Sequence, residues 1–268
     1  MTIRKPLCAI AVMAKAPLAG QVKTRLVPPL TFNEAVMLSA SFLRDITENI
    51  AWAAARAPIH GFVAYAPAGR EADFDGLLAP ETRLVLADGS CKMPPRVTGI
   101  GCSLLHAAAS LFAQGYGSVC LLNADSPTLP ASALCQAAEA LAAPGDRVVL
   151  GPAEDGGYYL LGMKARHGRL FEDIRWSTEN VAAETRDRAA TLGLEVVTLQ
   201  PWYDVDDHAS LSRLIVEILE GERPASSGMA NRPAPTTAAC IARLGIANRV
   251  IPPGSERSVE PRTYEATS

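Results

Sequence analysis

A short run of apolar residues near the middle of the chain ends in a carboxylate, and this pattern limits the fold to a small set. Residues 118–122 are Ser-Val-Cys-Leu-Leu, and Asn123, Ala124 and Asp125 follow. Such a run, bounded by a turn signal at Pro127, is typical of a strand covered on both faces. In open α/β sheets, ligands bind beyond the carboxyl ends of such strands. The sequence therefore predicts an α/β fold with Asp125 at the ligand-binding edge.

Strand and helix patterns alternate along most of the chain. Strands are predicted at residues 7–14, 60–65, 83–87, 118–123, 146–151, 158–163 and 194–199. Residues that favour a helix start precede four predicted helices: Thr31 with Glu34 as a capping box, Thr128 with Pro130, Ser177 or Thr178, and Asp207. This alternation predicts a wound, mostly parallel mixed sheet flanked by helices.

The composition changes near residue 220. Residues 1–220 contain the whole strand and helix pattern, and we expect them to form a single domain. Residues 221–268 are rich in Pro, Ala, Ser, Thr and Arg. This composition predicts a linker, a short helix near residues 236–246 and a disordered tail.

Charge, hydropathy and cysteine content exclude several classes of protein. The net charge of −3 gives no indication of a nucleic-acid partner. The sequence has no run of 18 apolar residues, so we expect no membrane span. The six cysteines form no Cys-x-x-Cys pair, which favours a reduced, cytoplasmic location over a disulfide framework. The oligomeric state is left open, with a homodimer as one option.

The loop after the first predicted strand is basic. It contains Lys15, Gly20, Lys23 and Arg25, and no acidic residue precedes Glu34. A glycine allows backbone N–H groups to approach an anion, and the lysines and arginine add positive charge. The spacing is not that of a Walker motif. We predict that this loop binds phosphate groups; the alternative is an ordinary solvated basic loop.

Acidic residues follow three of the predicted strands. Asp125 follows one, Asp155 lies in a Glu-Asp-Gly-Gly-Tyr segment after the next, and Asp204 and Asp206 follow the last. Carboxylates this close repel one another unless a cation lies among them. Mg²⁺ (or Mn²⁺) bound by Asp125 with Asp204 or Asp206 is therefore predicted, because Mg²⁺ takes one or two carboxylates and shares phosphate oxygens. The alternatives are an Asx turn at Asp125, a tight turn at Asp155 and a solvated acidic turn at residues 204–206.

A second group of residues is predicted to contact a substrate. Gly156 and Gly157 allow a ligand to approach the backbone closely. Successive strand residues alternate between faces, so at most one of Tyr158 and Tyr159 faces the ligand. Trp176 precedes a predicted helix start, where anions are attracted. A tight hairpin turn and a packed tryptophan are the alternatives.

As a set, these motifs resemble the radical-SAM/selenodomain-associated transferases, a bacterial glycosyltransferase-like family. The resemblance covers residues 7 to about 220 and rests on residues 13–26, 123–127, 151–159, 176–178 and 204–206. It implies a single Rossmann-like GT-A domain, a nucleotide or nucleotide-diphospho-sugar donor, a small-molecule acceptor and a divalent metal. It places the family's central aspartate at Asp125 and its C-terminal Asp-x-Asp at Asp204 and Asp206. The arginine of the family's Gly-Asp-Leu-Gly-x-Arg segment is missing from the corresponding residues 97–105.

Two reactions fit this set of residues. The family resemblance favours a glycosyltransferase, in which a nucleoside diphosphate leaves a sugar carbon. The first loop is also similar to the Lys-x-Arg-Leu loop of phospholactate guanylyltransferases, which favours a nucleotidyltransferase that releases pyrophosphate. In either enzyme, Asp125 would bind the metal, and Asp155 would orient an acceptor hydroxyl or accept its proton. A third hypothesis is a non-catalytic nucleotide sensor.

Overall fold

The computed structural model describes residues 7–221 and 231–251. In these ranges the strands are β1 (Cys8–Lys15), β2 (Ile59–Ala66), β3 (Arg83–Leu86), β4 (Ser118–Leu122), β5 (Arg147–Pro152), β6 (Tyr158–Met163) and β7 (Glu195–Thr198). The helices are α1 (Phe32–Ala54), α2 (Ile100–Ala113), α3 (Ala131–Ala142), α4 (Val181–Thr191), α5 (His208–Glu220), α6 (Pro235–Leu244) and α7 (Ile246–Val250). Most of the predicted linker and nearly all of the predicted tail lie outside the described residues.

The strands form one mixed sheet in the order β3-β2-β1-β4-β6-β5-β7. Strand β6 is antiparallel to β4 and β5, and the other neighbouring strands are parallel. The predicted mostly parallel mixed sheet is confirmed. Because β6 runs against its neighbours, its first residue, Tyr158, lies at the edge where β4 and β5 end. The C-terminal ends of the parallel strands and the start of β6 therefore lie at the same edge of the sheet.

The two faces of the sheet are covered by different helices. Along β1, Ile10 and Val12 belong to a core that also includes residues of α1, α3, α5, α6 and α7. Ala9 and Ala11, which point to the opposite face, belong to a second core with residues of α2 and α4. Side chains alternate across a strand, so a continuous apolar run places apolar groups in both cores. This double burial explains the apolar character of β1 and β4.

Two of the predicted helix starts are confirmed by their capping hydrogen bonds. The Thr31 side chain accepts from the backbone N–H of Glu34, whose carboxylate in turn accepts from the backbone N–H of Thr31. At α5, Asp207 and Ser210 form the same reciprocal arrangement. These local contacts fix where α1 and α5 begin, and α5 begins directly after the acidic segment that contains Asp206.

The other two predicted caps are wrong because the hydroxyl groups have other partners. Thr128 Oγ1 lies 3.3 Å from the hydroxyl oxygen of Tyr203, and α3 begins without a side-chain cap. Thr178 Oγ1 donates to the carbonyl oxygen of Arg175 at 2.7 Å, and α4 begins only at Val181. Ser177 likewise lies outside the helix, with φ at +62°.

The segment from α6 to α7 packs on the same domain. Asp45, buried in α1, accepts hydrogen bonds from the backbone N–H groups of Thr236 at 3.0 Å and Thr237 at 2.7 Å. Ile241 and Ile246 join the core on this face of the sheet. A carboxylate at a helix N-terminus satisfies N–H groups that have no partner within the helix. Asp45 therefore fixes α6 against α1.

Candidate functional site

A cavity of about 680 Å³ opens at the edge where the parallel strands end. The predicted site residues that line it are Lys15, Lys23, Arg25, Asp125, Asp155, Gly157, Tyr158, Trp176 and Asp206. Three others, Gly20, Asp204 and Gly156, lie close by in sequence but do not line it. The cavity thus brings together residues that the sequence separates by more than 150 positions.

The ammonium group of Lys23 lies between two of the predicted metal ligands. Its Nζ is 2.6 Å from Asp125 Oδ1 and 2.9 Å from Asp206 Oδ1. It also donates to the carbonyl oxygen of Val205 at 2.6 Å. The Lys23 side chain is 6% exposed. Lys23 was predicted to face phosphate groups, but in this structure it binds the carboxylates.

Hydrogen bonds between two chain segments place the carboxylates side by side. The backbone N–H of Val205 donates to the carbonyl oxygen of Asp125 at 2.9 Å. The next residue after Asp125, Ser126, donates from its hydroxyl to the carbonyl oxygen of Tyr203 at 2.8 Å. The segment after β7 is therefore tied to the end of β4, and this brings Asp206 next to Asp125.

The local environment changes the pKa values of these groups. Burial lowers the pKa of Lys23, but the charges of Asp125 and Asp206 outweigh that effect and leave it raised. Burial raises the pKa of Asp125, and nearby Asp206 raises it further, while Lys23 opposes both. Burial together with Asp206, Asp155 and Asp125 raises the pKa of Asp204 to about 7. Four carboxyl groups thus interact at this edge of the sheet, and one buried ammonium contacts two of them.

This excess of carboxyl groups fits a divalent cation. Within residues 7–221 and 231–251, no three His, Cys, Asp or Glu side chains are arranged to hold an ion on their own. Mg²⁺ does not need such a cage, because it commonly binds through one or two carboxylates, waters and substrate phosphates. Asp125 and Asp206 both line the cavity and are 33% and 44% exposed. The donor set is suited to a metal shared with a phosphate ligand.

The turn between β5 and β6 gives Asp155 two roles. Its Oδ1 accepts a hydrogen bond from the backbone N–H of Gly157 at 2.8 Å, so the predicted tight-turn alternative is present. The carboxylate is also exposed and lines the cavity. Gly156 has φ at +91°, and a Cβ atom there would lie 2.0 Å from the carbonyl oxygen of Glu179. The turn can therefore pack in this way only with glycine at position 156.

Trp176 and Tyr158 also line the cavity. A Cβ atom on Gly101 would lie 2.8 Å from the Trp176 ring, and one on Gly99 would lie 3.2 Å from it. The start of α2 is thus a glycine surface on which the indole packs. The Tyr158 hydroxyl is buried without a hydrogen-bond partner in the described residues, and burial raises its pKa above the ordinary value. Tyr159 is 1% exposed and its hydroxyl donates to the carbonyl oxygen of Gln200 at 3.0 Å, but it also borders the cavity, so the alternation separates the two tyrosines less sharply than predicted.

Some lining residues were not predicted from the sequence. Ile100 is 52% exposed at the first position of α2 and lines the cavity. Gly99 and Gly101 support Trp176 from that same helix start. The glycines at these positions were a visible signal, but the sequence did not reveal which side chain packs on them. The carbonyl oxygen of Val205, a partner of Lys23, had no sequence signal at all.

Comparison with known proteins agrees with this architecture. Residues 49–178 match the family model described as "Uncharacterized protein conserved in bacteria (DUF2064)". No curated protein matches the chain. The association with radical-SAM or selenodomain proteins stays a prediction.

A solved structure shares the fold. A "putative nucleotide-diphospho-sugar transferase" from Desulfovibrio desulfuricans G20 matches with a TM-score of 0.72 and 27% identity, over 90% of this chain and 96% of that one. A cytidylyltransferase from Leptospira borgpetersenii matches with a TM-score of 0.49 and 11% identity, over 90% of this chain and 95% of that one. The first match confirms the predicted fold, which is that of nucleotide-diphospho-sugar transferases, and it supports the predicted transferase class. In the described ranges, no helix has the length and apolar character needed to cross a membrane.

Proposed function

We propose that this protein is a metal-dependent transferase that uses a nucleotide or nucleotide-sugar donor. The observation that carries the proposal is the convergence of Asp125 and Asp206 at the wall of one cavity, beside a basic loop. A metal site next to cations is what a diphosphate group requires, because both neutralise its charge. The similarity to the fold of a nucleotide-diphospho-sugar transferase adds support.

Lys15 and Arg25 are the proposed phosphate-binding side chains. Both are exposed and line the cavity, and neither makes an ion pair with another described residue. Gly20, with φ at +77° and no atom within 4 Å of a Cβ placed there, shapes the loop that carries them. Two free cations on a strand-end loop attract a small polyanion into the cavity.

Asp125 and Asp206 are the proposed metal ligands, for Mg²⁺ or Mn²⁺. Asp204 lies behind them, half-buried, and the cavity-lining residues do not include it. We therefore propose that Asp125 and Asp206 bind the metal directly, and that Asp204 only adds negative charge near it. When bound, the metal would neutralise charge that develops on the phosphate during transfer.

Asp155 is the proposed acceptor-orienting group. Its carboxylate is exposed in the cavity, so it can accept a hydrogen bond or a proton from an acceptor hydroxyl. Gly157, Tyr158 and Trp176 would border the acceptor, with Gly156 setting the shape of the turn. The acceptor side of the cavity is thus less basic than the donor side.

Glycosyl transfer is our leading reaction, and nucleotidylyl transfer is the second. The matched fold favours the first, and the basic loop, suited to a triphosphate, favours the second. All six cysteines are free thiols, which supports the cytoplasm as the location.

The experiment that tests the proposal incubates the protein with Mg²⁺ or Mn²⁺, panels of nucleotide sugars or nucleoside triphosphates, and a panel of small-molecule acceptors that carry hydroxyl or phosphate groups. Release of a nucleoside diphosphate supports glycosyl transfer, and release of pyrophosphate supports nucleotidylyl transfer. A thermal-shift panel identifies the preferred nucleotide, because a ligand that binds only the native state raises the melting temperature. Nucleotide binding without any product under all of these conditions would favour the sensor hypothesis.

A further inference from the structure

The ammonium group of Lys23 uses all of its hydrogen-bonding capacity on the acidic pair and on the Val205 carbonyl group. An ammonium has three N–H donors. In this structure Nζ has three acceptors, one oxygen each from Asp125, Asp206 and the Val205 carbonyl group, at 2.6–2.9 Å. A phosphate bound elsewhere in the cavity can receive no hydrogen bond from Lys23 while these contacts persist.

The ammonium contacts the Oδ1 oxygen of each carboxylate, so a metal ion that bridges these two oxygens would take its place. Mg²⁺ lies about 2.0–2.1 Å from its oxygen ligands, which is closer than the ammonium contacts to Asp125 and Asp206. Two cations that share both carboxylates at such distances repel each other. The pair can therefore bind the Lys23 ammonium or a shared divalent ion, but not both in this geometry.

The position of Lys23 on a loop allows its side chain to move the ammonium away from the two carboxylates. The residue lies in the loop between β1 and α1 and has a left-handed backbone conformation, with φ at +48°. Its neighbours on this loop, Gln21, Thr24 and Arg25, are exposed. Its flexible stem can swing within the cavity towards Lys15 and Arg25, which are placed to bind phosphate groups.

We propose that Lys23 is a built-in competitor of the metal. In the free protein its ammonium bridges Asp125 and Asp206. When the donor binds, the ammonium leaves these carboxylates and donates hydrogen bonds to the donor phosphates instead. The metal then binds weakly alone and tightly with the donor, and by linkage the donor binds more tightly with the metal. This inference rests on the proposed function, because it concerns the same metal pair.

The test measures the affinity of Mn²⁺ alone, by electron paramagnetic resonance or calorimetry, without any donor. Lys23→Met removes the competing charge, and we expect Mn²⁺ to bind at least about tenfold more tightly than to the wild type. Arg25→Met is the matched control. It removes a cation two positions away on the same loop that does not contact the carboxylates, and it should change the affinity by less than about threefold.

A second readout is thermal stability. Mn²⁺ should raise the melting temperature of Lys23→Met more than that of the wild type, because a tighter ligand stabilises the native state more. Lys23→Arg keeps the charge and should keep the weak binding of the wild type. Circular dichroism checks folding, and Lys23→Gln replaces Lys23→Met in the same comparison should the latter not fold.

Equal Mn²⁺ affinity in the wild type and Lys23→Met overturns the inference, as does an equal gain in Arg25→Met. A titration of inorganic pyrophosphate in the presence of Mn²⁺ separates this result from failure of the proposed function. If pyrophosphate binds the wild type and donors turn over while Lys23→Met shows no gain, only the competition is wrong. If neither Mn²⁺ nor pyrophosphate binds any of the proteins, the inference and the proposed function are both wrong.

Discussion

Replacing Gly156 with alanine tests how the turn that carries Asp155 is built. Two costs combine at this position. The positive φ of +91° disfavours any residue with a Cβ atom, by about 1–2 kcal/mol. The new Cβ would also lie 2.0 Å from the Glu179 carbonyl oxygen, whereas real Cβ contacts essentially never fall under 3.0 Å. The turn or the facing backbone must therefore move by about 1 Å.

The overlap adds about 1–3 kcal/mol, the usual range for overpacking. We expect Gly156→Ala to lower the free energy of unfolding by about 2–5 kcal/mol in total. Gly193→Ala is the matched control, because Gly193 has φ at +69° and no atom within 4 Å of the added Cβ. It should show only the conformational cost, about 1–2 kcal/mol.

Urea denaturation of both variants, followed by far-UV circular dichroism, gives the two free energies. The informative quantity is their difference, which isolates the overlap with Glu179. Equal losses in Gly156→Ala and Gly193→Ala would refute the close packing of the turn, and with it the claim that this packing sets the position of Asp155.

Further predictions concern the C-terminal helices, the start of α1 and the basic loop. Asp45→Ala should lower the free energy of unfolding by about 2–4 kcal/mol, measured in urea, because two N–H groups at the start of α6 lose their acceptor. The hydrogen bonds from the Arg249 side chain and from the backbone N–H of Thr31 lower the pKa of Glu34 from 4.5 to about 2. The stabilisation from Glu34 should thus be complete above pH 4.5 and be lost as the pH falls towards 2. The urea midpoints of the wild type and Glu34→Gln should therefore differ at pH 7 and converge near pH 2. Lys15→Ala with Arg25→Ala should weaken nucleotide binding at least about tenfold in calorimetry and reduce its salt dependence; unchanged affinity would contradict a phosphate role for the loop.

The sequence predicts features that depend on residues close together along the chain. The apolar runs predict all seven strands. Burial on both faces is the reason for β1 and β4, whereas the edge strands β3 and β7 are only partly buried. The capping boxes at Thr31 and Asp207 are predicted because each partner lies three residues from its cap. For the same reason, the strand-end positions of Asp125 and Asp155 follow from the strand pattern.

Contacts between distant segments could not be predicted in this way. The carbonyl group that accepts from Lys23 lies 182 residues further along the chain. The hydroxyl of Tyr203, which contacts Thr128, lies 75 residues away and leaves α3 without its expected cap. Local patterns give the residue types at the edge of the sheet, but tertiary packing decides whether a lysine faces a ligand or a carboxylate.

The most direct test of the proposed transferase activity is turnover as a function of metal concentration in Asp125→Asn, with the donor found by the nucleotide panel. Asp187→Asn, an exposed carboxylate on α4, is the control for the loss of one negative charge. We predict that Asp125→Asn loses at least about 100-fold in kcat, while Asp187→Asn turns over like the wild type. Full metal-dependent turnover in Asp125→Asn would contradict the assignment of this carboxylate to the metal.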